Sequence, residues 1–212
     1  MSNPDSALRQ AVRLVALLNL GYFGVEFTVA LSIGSVSLFA DSIDFLEDTA
    51  VNFLILVALG WSAHHRSLVG MALAAILLVP GVSTLWAAWQ KFAVPVPPDA
   101  TFLSLTGLGA LCINLYCAFL LARFRAHSGS LTRAAWLSAR NDALANIAII
   151  ATGLVTAAMA SPWPDLVVGL GIFLVNLDAA REVFSAAQRE CTVTSIEAQQ
   201  GAAADAPRAA RG

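Results

Sequence analysis

The chain has 212 residues, of which 58% are hydrophobic and only 12% carry a charged side chain. A water-soluble domain usually carries about 25% charged residues, so this composition excludes an ordinary soluble domain. The net charge of −2 provides no basic surface, and no nucleic-acid partner is predicted. The long apolar runs instead predict an all-α membrane protein.

Six transmembrane helices are predicted from the apolar runs and the breaks between them. They cover residues 10–32, 36–60, 68–89, 101–124, 132–159 and 163–186. The Lys and Arg residues concentrate in alternate connections, and the positive-inside rule then places both termini in the cytoplasm. The predicted domains are a cytoplasmic segment at 1–9, a transmembrane domain at 10–190 and a disordered cytoplasmic tail at 191–212. No removable signal peptide is predicted.

The first two spans place polar side chains where a membrane helix should be apolar. Asn19 and Glu26 are seven residues apart on the first span and therefore share a face. The second span contains the stretch "FADSIDFLEDTAVNF", which holds four carboxylates. A charged side chain at the bilayer centre costs roughly 2.5–3.5 kcal/mol, and intramembrane acids usually mark an ion or proton path.

The spacing of the four acids separates their predicted roles. Asp41, Asp44 and Asp48 follow each other at i, i+3 and i+7, which places them on one helical face. Asp44 and Asp48 are one turn apart, so both carboxylates can reach a single ion. Asp41 either caps the helix or lies at its water-facing end. Glu47 lies about 100° around the helix axis from Asp48 and can point elsewhere.

The fifth span adds a third polar stripe in "WLSARNDALANIAIIATG". Ser138 lies one turn before Asp142 and Asn146 one turn after it, so the three share a face. Three polar stripes packed together predict an oxygen-rich site within the membrane. Carboxylates crowded in a low dielectric repel each other and bind protons or a divalent cation, which is the minimum chemistry for metal/proton exchange. In the alternative, the acids are protonated or paired with Arg140 and only hold the helices together.

The sequence resembles the cation diffusion facilitator family of divalent-metal transporters. The segment "LNLGYFGVEFTVALSIGSVSLFADSIDFLEDTAVN" resembles the first two spans of that family, "ARNDALANIAIIATG" the fifth and "SPWPDLVVGLGIFLVNLDAAREV" the sixth. The resemblance implies a six-helix cation-efflux bundle in the plasma (inner) membrane that works as a homodimer. It implies export of Zn²⁺ or a related ion (Fe²⁺, Mn²⁺, Co²⁺ or Cd²⁺) from the cytoplasm in exchange for protons.

The resemblance also assigns roles to the polar residues. It makes Asp44, Asp48 and Asp142 the metal ligands, and Ser138 the residue that completes the site. The residues expected around the ligands or on a proton path are Asn19, Glu26, Asp41, Glu47, Asn141 and Asn146. No tightly bound cofactor is expected, because the divalent cation is the transported substrate. Without a nucleophile–base pair or an HExxH-like motif, no enzymatic activity is predicted.

Two departures from the family pattern bear on these roles. Ser138 occupies a position where the family usually carries His or Asp, and a hydroxyl is a weak neutral ligand. Losing the imidazole shifts the expected ion toward harder cations such as Mn²⁺ or Fe²⁺. The cytoplasmic metal-binding domain that usually follows the sixth span is not seen, which predicts a short form. These departures leave open a non-transporting partner subunit or a metal-responsive membrane regulator.

Overall fold

The residues that the structure, a computed structural model, describes contain six helices and no strand. These are residues 4–58, 82–122 and 129–177, with side chains at 6–54, 56, 82–122 and 141–177. The helices, in chain order, are α1 (Pro4–Ile33), α2 (Val36–Ala58), α3 (described over 82–93), α4 (Ala100–Ala122), α5 (Gly129–Met159) and α6 (Trp163–Leu177). The predicted all-α class and the order of six helices are confirmed.

The helix boundaries agree with the predicted spans at most of the ends that can be compared. The first helix begins at Pro4, six residues before the predicted span, and proline is well tolerated in a first turn. The fourth begins at Ala100, where the Oδ1 atom of Asp99 accepts hydrogen bonds of 2.9 Å from the amides of Thr101 and Phe102. Asp99 is therefore the N-cap of α4.

Several predicted features lie outside the described residues. Most of the third predicted span, the end of the sixth and the tail at 191–212 are among the residues that the structure does not describe. The connections after α2 and α4, which carry Arg residues used to orient the protein, lie outside it as well. The cytoplasmic placement of both termini therefore stays a prediction.

The lengths and compositions of the helices fit a bilayer. Within the described residues, three helical segments are long and apolar enough to cross a membrane, namely Ser6–Ile33, Ala100–Ala122 and Asn141–Met159. A helix of 23 residues extends about 34 Å, which exceeds the hydrocarbon thickness of roughly 30 Å. Large apolar side chains such as Leu17, Phe119 and Leu154 are exposed on the outside of the bundle. The chain is therefore a membrane protein whose outer surface suits lipid.

The first two helices form an antiparallel hairpin, and α4 and α5 pair as closely. The turn between α1 and α2 passes through Gly34, whose φ of 63° lies in the left-handed region that favours glycine. Further contacts join α1 to α4 and α2 to α5. Side chains from α1, α2, α4, α5 and α6 meet in one apolar cluster around Leu38, Leu103 and Ile149. This cluster lies toward the end of the bundle that holds the α1–α2 turn, here named the turn end.

A buried carboxylate fastens α6 to the start of α2 at the turn end. Asp165 is fully buried and accepts hydrogen bonds of 2.7 Å from both hydroxyls of Ser35 and Ser37. It also accepts bonds of 2.9 and 3.1 Å from the amides of Val36 and Ser37. A carboxylate at a helix N-terminus satisfies the free amides and is favoured by the helix dipole. Asp165 therefore fixes where α2 begins relative to α6.

Lysine 91 completes this arrangement from α3. The Nζ atom of Lys91 donates a hydrogen bond of 2.6 Å to the main-chain oxygen of Gly34 and lies 3.7 Å from Asp165. Both side chains are buried. The α1–α2 turn is thus held by α3 and α6 together. This role of Asp165 is not predicted from the sequence, because an acid in the first turn of a helix is also typical of ordinary capping.

Helix α6 also approaches α2 through a glycine. A Cβ atom at Gly169 would lie 2.7 Å from the amide nitrogen of Ser37 and 2.7 Å from the carbonyl carbon of Val36. Real Cβ atoms essentially never approach backbone this closely, and backbone cannot swing aside as a long side chain can. Gly169 therefore allows the contact between the two helices.

We expect Gly169→Ala to push α6 away from α2 and to lower the free energy of unfolding by about 1–3 kcal/mol, as overpacking does. The measurement is the unfolding midpoint of the purified protein in detergent. Gly171→Ala is the matched control on the same helix, because no described atom lies within 4 Å of its Cβ position. Equal midpoints for the two variants would contradict the close contact.

Candidate functional site

The acidic face of α2 points into the bundle. Asp41 is fully buried, and Asp44 and Asp48 are each only 9% exposed. Glu47, which the helical period places off this face, is partly buried. The three aspartates therefore line the interior between helices, where lipid does not reach them, as their i, i+3, i+7 spacing predicts.

Helix α5 carries Asp142 to the same region. The carboxyl of Asp44 interacts electrostatically with Asp142, and also with the other acids of α2. Cys117 on α4 lies within electrostatic range of both Asp48 and Asp142. The three acids predicted as metal ligands thus occupy one region of the bundle, across the contact between α2 and α5.

These acids do not form a closed ligand shell. In the described part of the chain, no three His, Cys, Asp or Glu side chains come together as closely as ligands of one metal ion do. The side chain of Ser138, predicted to complete the site, and that of Arg140 lie outside the described ones. Asp44, Asp48 and Asp142 would have to move toward each other to hold one cation.

Helix α1 supports Asp48 through an amide. The Nδ2 atom of Asn19 donates a hydrogen bond of 3.3 Å to Oδ2 of Asp48, and both residues are buried. The Sγ atom of Cys117 lies 3.8 Å from Oδ1 of Asn19. An amide hydrogen-bonded to a carboxylate can orient it, so this contact favours the predicted place of Asn19 around the ligands, which stays a prediction.

A second polar group lies closer to the turn end and joins four helices. The Nδ2 atom of Asn146 (α5) donates a hydrogen bond of 2.6 Å to Oδ2 of Asp41 (α2). Asn114 (α4) donates one of 3.0 Å to Oδ1 of Asn146. The carboxyl group of Glu26 (α1) lies within hydrogen-bonding range of that of Asp41. These four residues, here named the Glu26–Asp41 network, are all buried.

The two polar groups follow from one spacing repeated on two helices. Asn19 and Glu26 are seven residues apart on α1, and Asp41 and Asp48 are seven apart on α2. Because α1 and α2 run antiparallel, Asn19 meets Asp48 while Glu26 meets Asp41. Two turns of helix, about 10 Å, separate the two levels.

Asn141, also predicted to lie around the ligands or on a proton path, is exposed. Asn114, which has no predicted role, also belongs to the Glu26–Asp41 network. Its signal was a single amide in the apolar run "LGALCINLYCAF" of the fourth span. A buried amide in a membrane helix usually has a hydrogen-bonding partner on a neighbouring helix.

One known protein family matches most of the chain. The family described as "Cation efflux transmembrane domain" matches residues 12–190, which include every predicted metal ligand and every member of the Glu26–Asp41 network. Comparison with curated proteins gives no significant match.

The link between α4, α5 and α2 can be tested through Asn146. In Asn146→Ala, the carboxylate of Asp41 and the amide of Asn114 each lose a buried partner, which costs about 1–3 kcal/mol for each unsatisfied group. We expect a corresponding fall in the free energy of unfolding in detergent. Asn141→Ala is the matched control on the same helix, since exposed substitutions usually change stability by no more than about 0.5 kcal/mol. Similar values for the two variants would argue against the network.

Proposed function

Since this chain belongs to the cation efflux family and is therefore a membrane transporter of divalent cations, we propose that it exports zinc-class metal ions from the cytoplasm in exchange for protons. The observation that carries this proposal is the burial of Asp44 and Asp48 on α2, with Asp142 of α5 in electrostatic range, inside an apolar bundle.

The exchange follows from the electrostatics of these acids. Like charges in a low-dielectric interior repel each other, and either protons or a divalent cation can remove the repulsion. A metal ion binds to deprotonated carboxylates, so metal binding releases protons and protonation releases the metal. A proton gradient can then drive the metal in the opposite direction.

In the proposed site, Asp44, Asp48 and Asp142 bind the ion and Ser138 completes its coordination. Asn19 supports the proposal, because it holds Asp48 from α1. A site made of oxygen ligands suits harder cations than one containing imidazole. Mn²⁺ and Fe²⁺ are therefore tested together with Zn²⁺, and Co²⁺ and Cd²⁺ are the other candidates of this class. The plasma (inner) membrane, cytoplasmic termini and the homodimer stay predictions.

Transport itself is the first test. In proteoliposomes with an imposed pH gradient, we expect the purified protein to move at least one of Zn²⁺, Mn²⁺, Fe²⁺, Co²⁺ and Cd²⁺. Losing a group that only hydrogen-bonds to a metal ligand typically costs at least about tenfold in metal affinity or activity. Asp48 is itself a proposed ligand, so Asp48→Ala should lower the initial rate of transport by more than about tenfold.

Asp99→Asn is the matched control, because Asp99 is exposed and asparagine caps a helix as well as aspartate does. If the wild-type protein moves none of the five ions, the transporter proposal is wrong. The partner-subunit or regulator interpretation would then be favoured.

The role of Ser138 is tested by ion preference. Ser138→His would add an imidazole ligand, and imidazole suits Zn²⁺ better than Mn²⁺. We expect the ratio of Zn²⁺ to Mn²⁺ affinity, measured by competition on the purified protein, to rise relative to wild type. Asn141→His, which adds the same group at an exposed position of α5, should leave the ratio unchanged. An equal rise in both variants would place the effect outside the proposed site.

A further inference from the structure

The pair of acids at the turn-end level of the bundle has no role in the proposed metal site. Glu26 and Asp41 are both 0% exposed. Both carboxyl oxygens of Glu26 and the Oδ1 atom of Asp41 receive no hydrogen bond from any described group. Leaving a buried polar atom unsatisfied costs about 1–3 kcal/mol, and more for a charged group. Three such oxygens in one place therefore point to an occupant that supplies positive charge or a donor.

The geometry of the pair identifies the occupant. The two carboxyl groups lie within hydrogen-bonding range of each other. Asn146 already donates to Oδ2 of Asp41, so the oxygen of Asp41 that is left for Glu26 is Oδ1. A single proton between the two carboxyls forms a hydrogen bond and removes one of the two charges, as it does in other carboxyl pairs.

The neighbouring groups that the structure describes do not provide a hydrogen-bond donor or a positive charge in place of that proton. Tyr22 on α1 lies within electrostatic range of both acids, but its hydroxyl donates a hydrogen bond of 2.6 Å to the main-chain oxygen of Thr106. On α2, the neighbouring charge is Asp44, which is another acid. The described contacts from α4 and α5 come from amides, and Asp142 of α5 interacts with Asp44.

Basic residues in the described part of the chain lie elsewhere. Lys91 of α3 is engaged by Asp165 of α6 and by the carbonyl of Gly34 at the turn end. Arg9 and Arg13 are exposed near the opposite end of α1. The electrostatic and hydrogen-bonding neighbours that the structure shows around the pair are thus acids, amides and a phenol whose hydroxyl already donates elsewhere.

We propose that Glu26 and Asp41 form a proton-binding site of their own, which holds one proton between two carboxyls and is separate from the metal ligands Asp44, Asp48 and Asp142. Its part in transport rests on the proposed metal/proton exchange. Asp41 is one helical turn from Asp44, and Asp44 interacts electrostatically with both acids of the pair. A cation bound at Asp44 would repel the shared proton, so metal and proton can exchange without sharing a ligand.

Infrared spectroscopy tests the shared proton independently of transport. Metal-free wild-type protein in detergent at pH 7 should show the C=O stretching band of a protonated carboxyl, and this band should shift in D₂O. Glu26→Gln and Asp41→Asn should each lower its intensity by the same amount, because the new amide can donate to the remaining carboxylate. The double variant should lose no more than either single variant, since only one proton is shared. Asp99→Asn should keep the full band.

A band that neither single variant changes would overturn the proposal. A double variant that loses twice as much would also overturn it, since the two acids would then be protonated independently. Circular dichroism and gel filtration of the near-isosteric variants establish that they are folded. If the infrared result is as expected but wild-type protein moves no metal, the proton site stands and the proposed transport function fails.

Measurements of metal affinity and of proton flux distinguish the Glu26–Asp41 pair from the proposed metal ligands. Titration of purified Glu26→Gln with Mn²⁺ should give a dissociation constant that differs less than about tenfold from wild type, whereas Asp48→Ala should exceed that limit. In proteoliposomes with an internal pH dye, Glu26→Gln should move fewer protons per metal ion. A loss of Mn²⁺ affinity as large as that of Asp48→Ala would make Glu26 a metal ligand and overturn the separate site.

Discussion

The polar interior of this protein depends on the register between α1 and α2. That register is set at the turn end, where Gly34 lets the chain reverse and Asp165 caps the start of α2. Once the turn is fixed, two antiparallel helices with the same seven-residue spacing must bring their polar side chains together in pairs. A shift of one residue would rotate α2 by about 100° and turn its acids away from α1.

The membrane explains why this register is defined so strongly. Backbone groups satisfy each other within helices, so they add little preference for one helix neighbour over another. Apolar side chains gain little by leaving lipid, and the exposed surface here is rich in them. Buried carboxyl and amide groups are costly unless they find partners on a neighbouring helix. Their pairing, together with close contacts such as the one at Gly169, selects one packing of the bundle.

The same pairing arranges the bundle in two levels. At the level of Asp48, α1 contributes an amide that orients an acid, which suits a residue that binds a metal ion. At the level of Asp41, α1 contributes a second acid, which suits a shared proton. Asp44 lies between these levels on α2 and interacts electrostatically with Asp41 and Asp48. A change of charge at one level therefore changes the electrostatic potential at the other. The proposed metal site and the proposed proton site are therefore linked through Asp44.

The sequence by itself determined the properties that depend on a single helix or on a family pattern. These include the all-α class, the order of the helices and the inward direction of Asp41, Asp44 and Asp48, since a 3.6-residue period is a local property. The tertiary structure decided which helices meet and at what level. It paired Asp41 with Asn146, 105 residues away, and Ser35 with Asp165, 130 residues away. Periodicity orients a side chain around its own helix axis, whereas contacts between helices depend on a register that only packing and the turn-end hydrogen bonds determine.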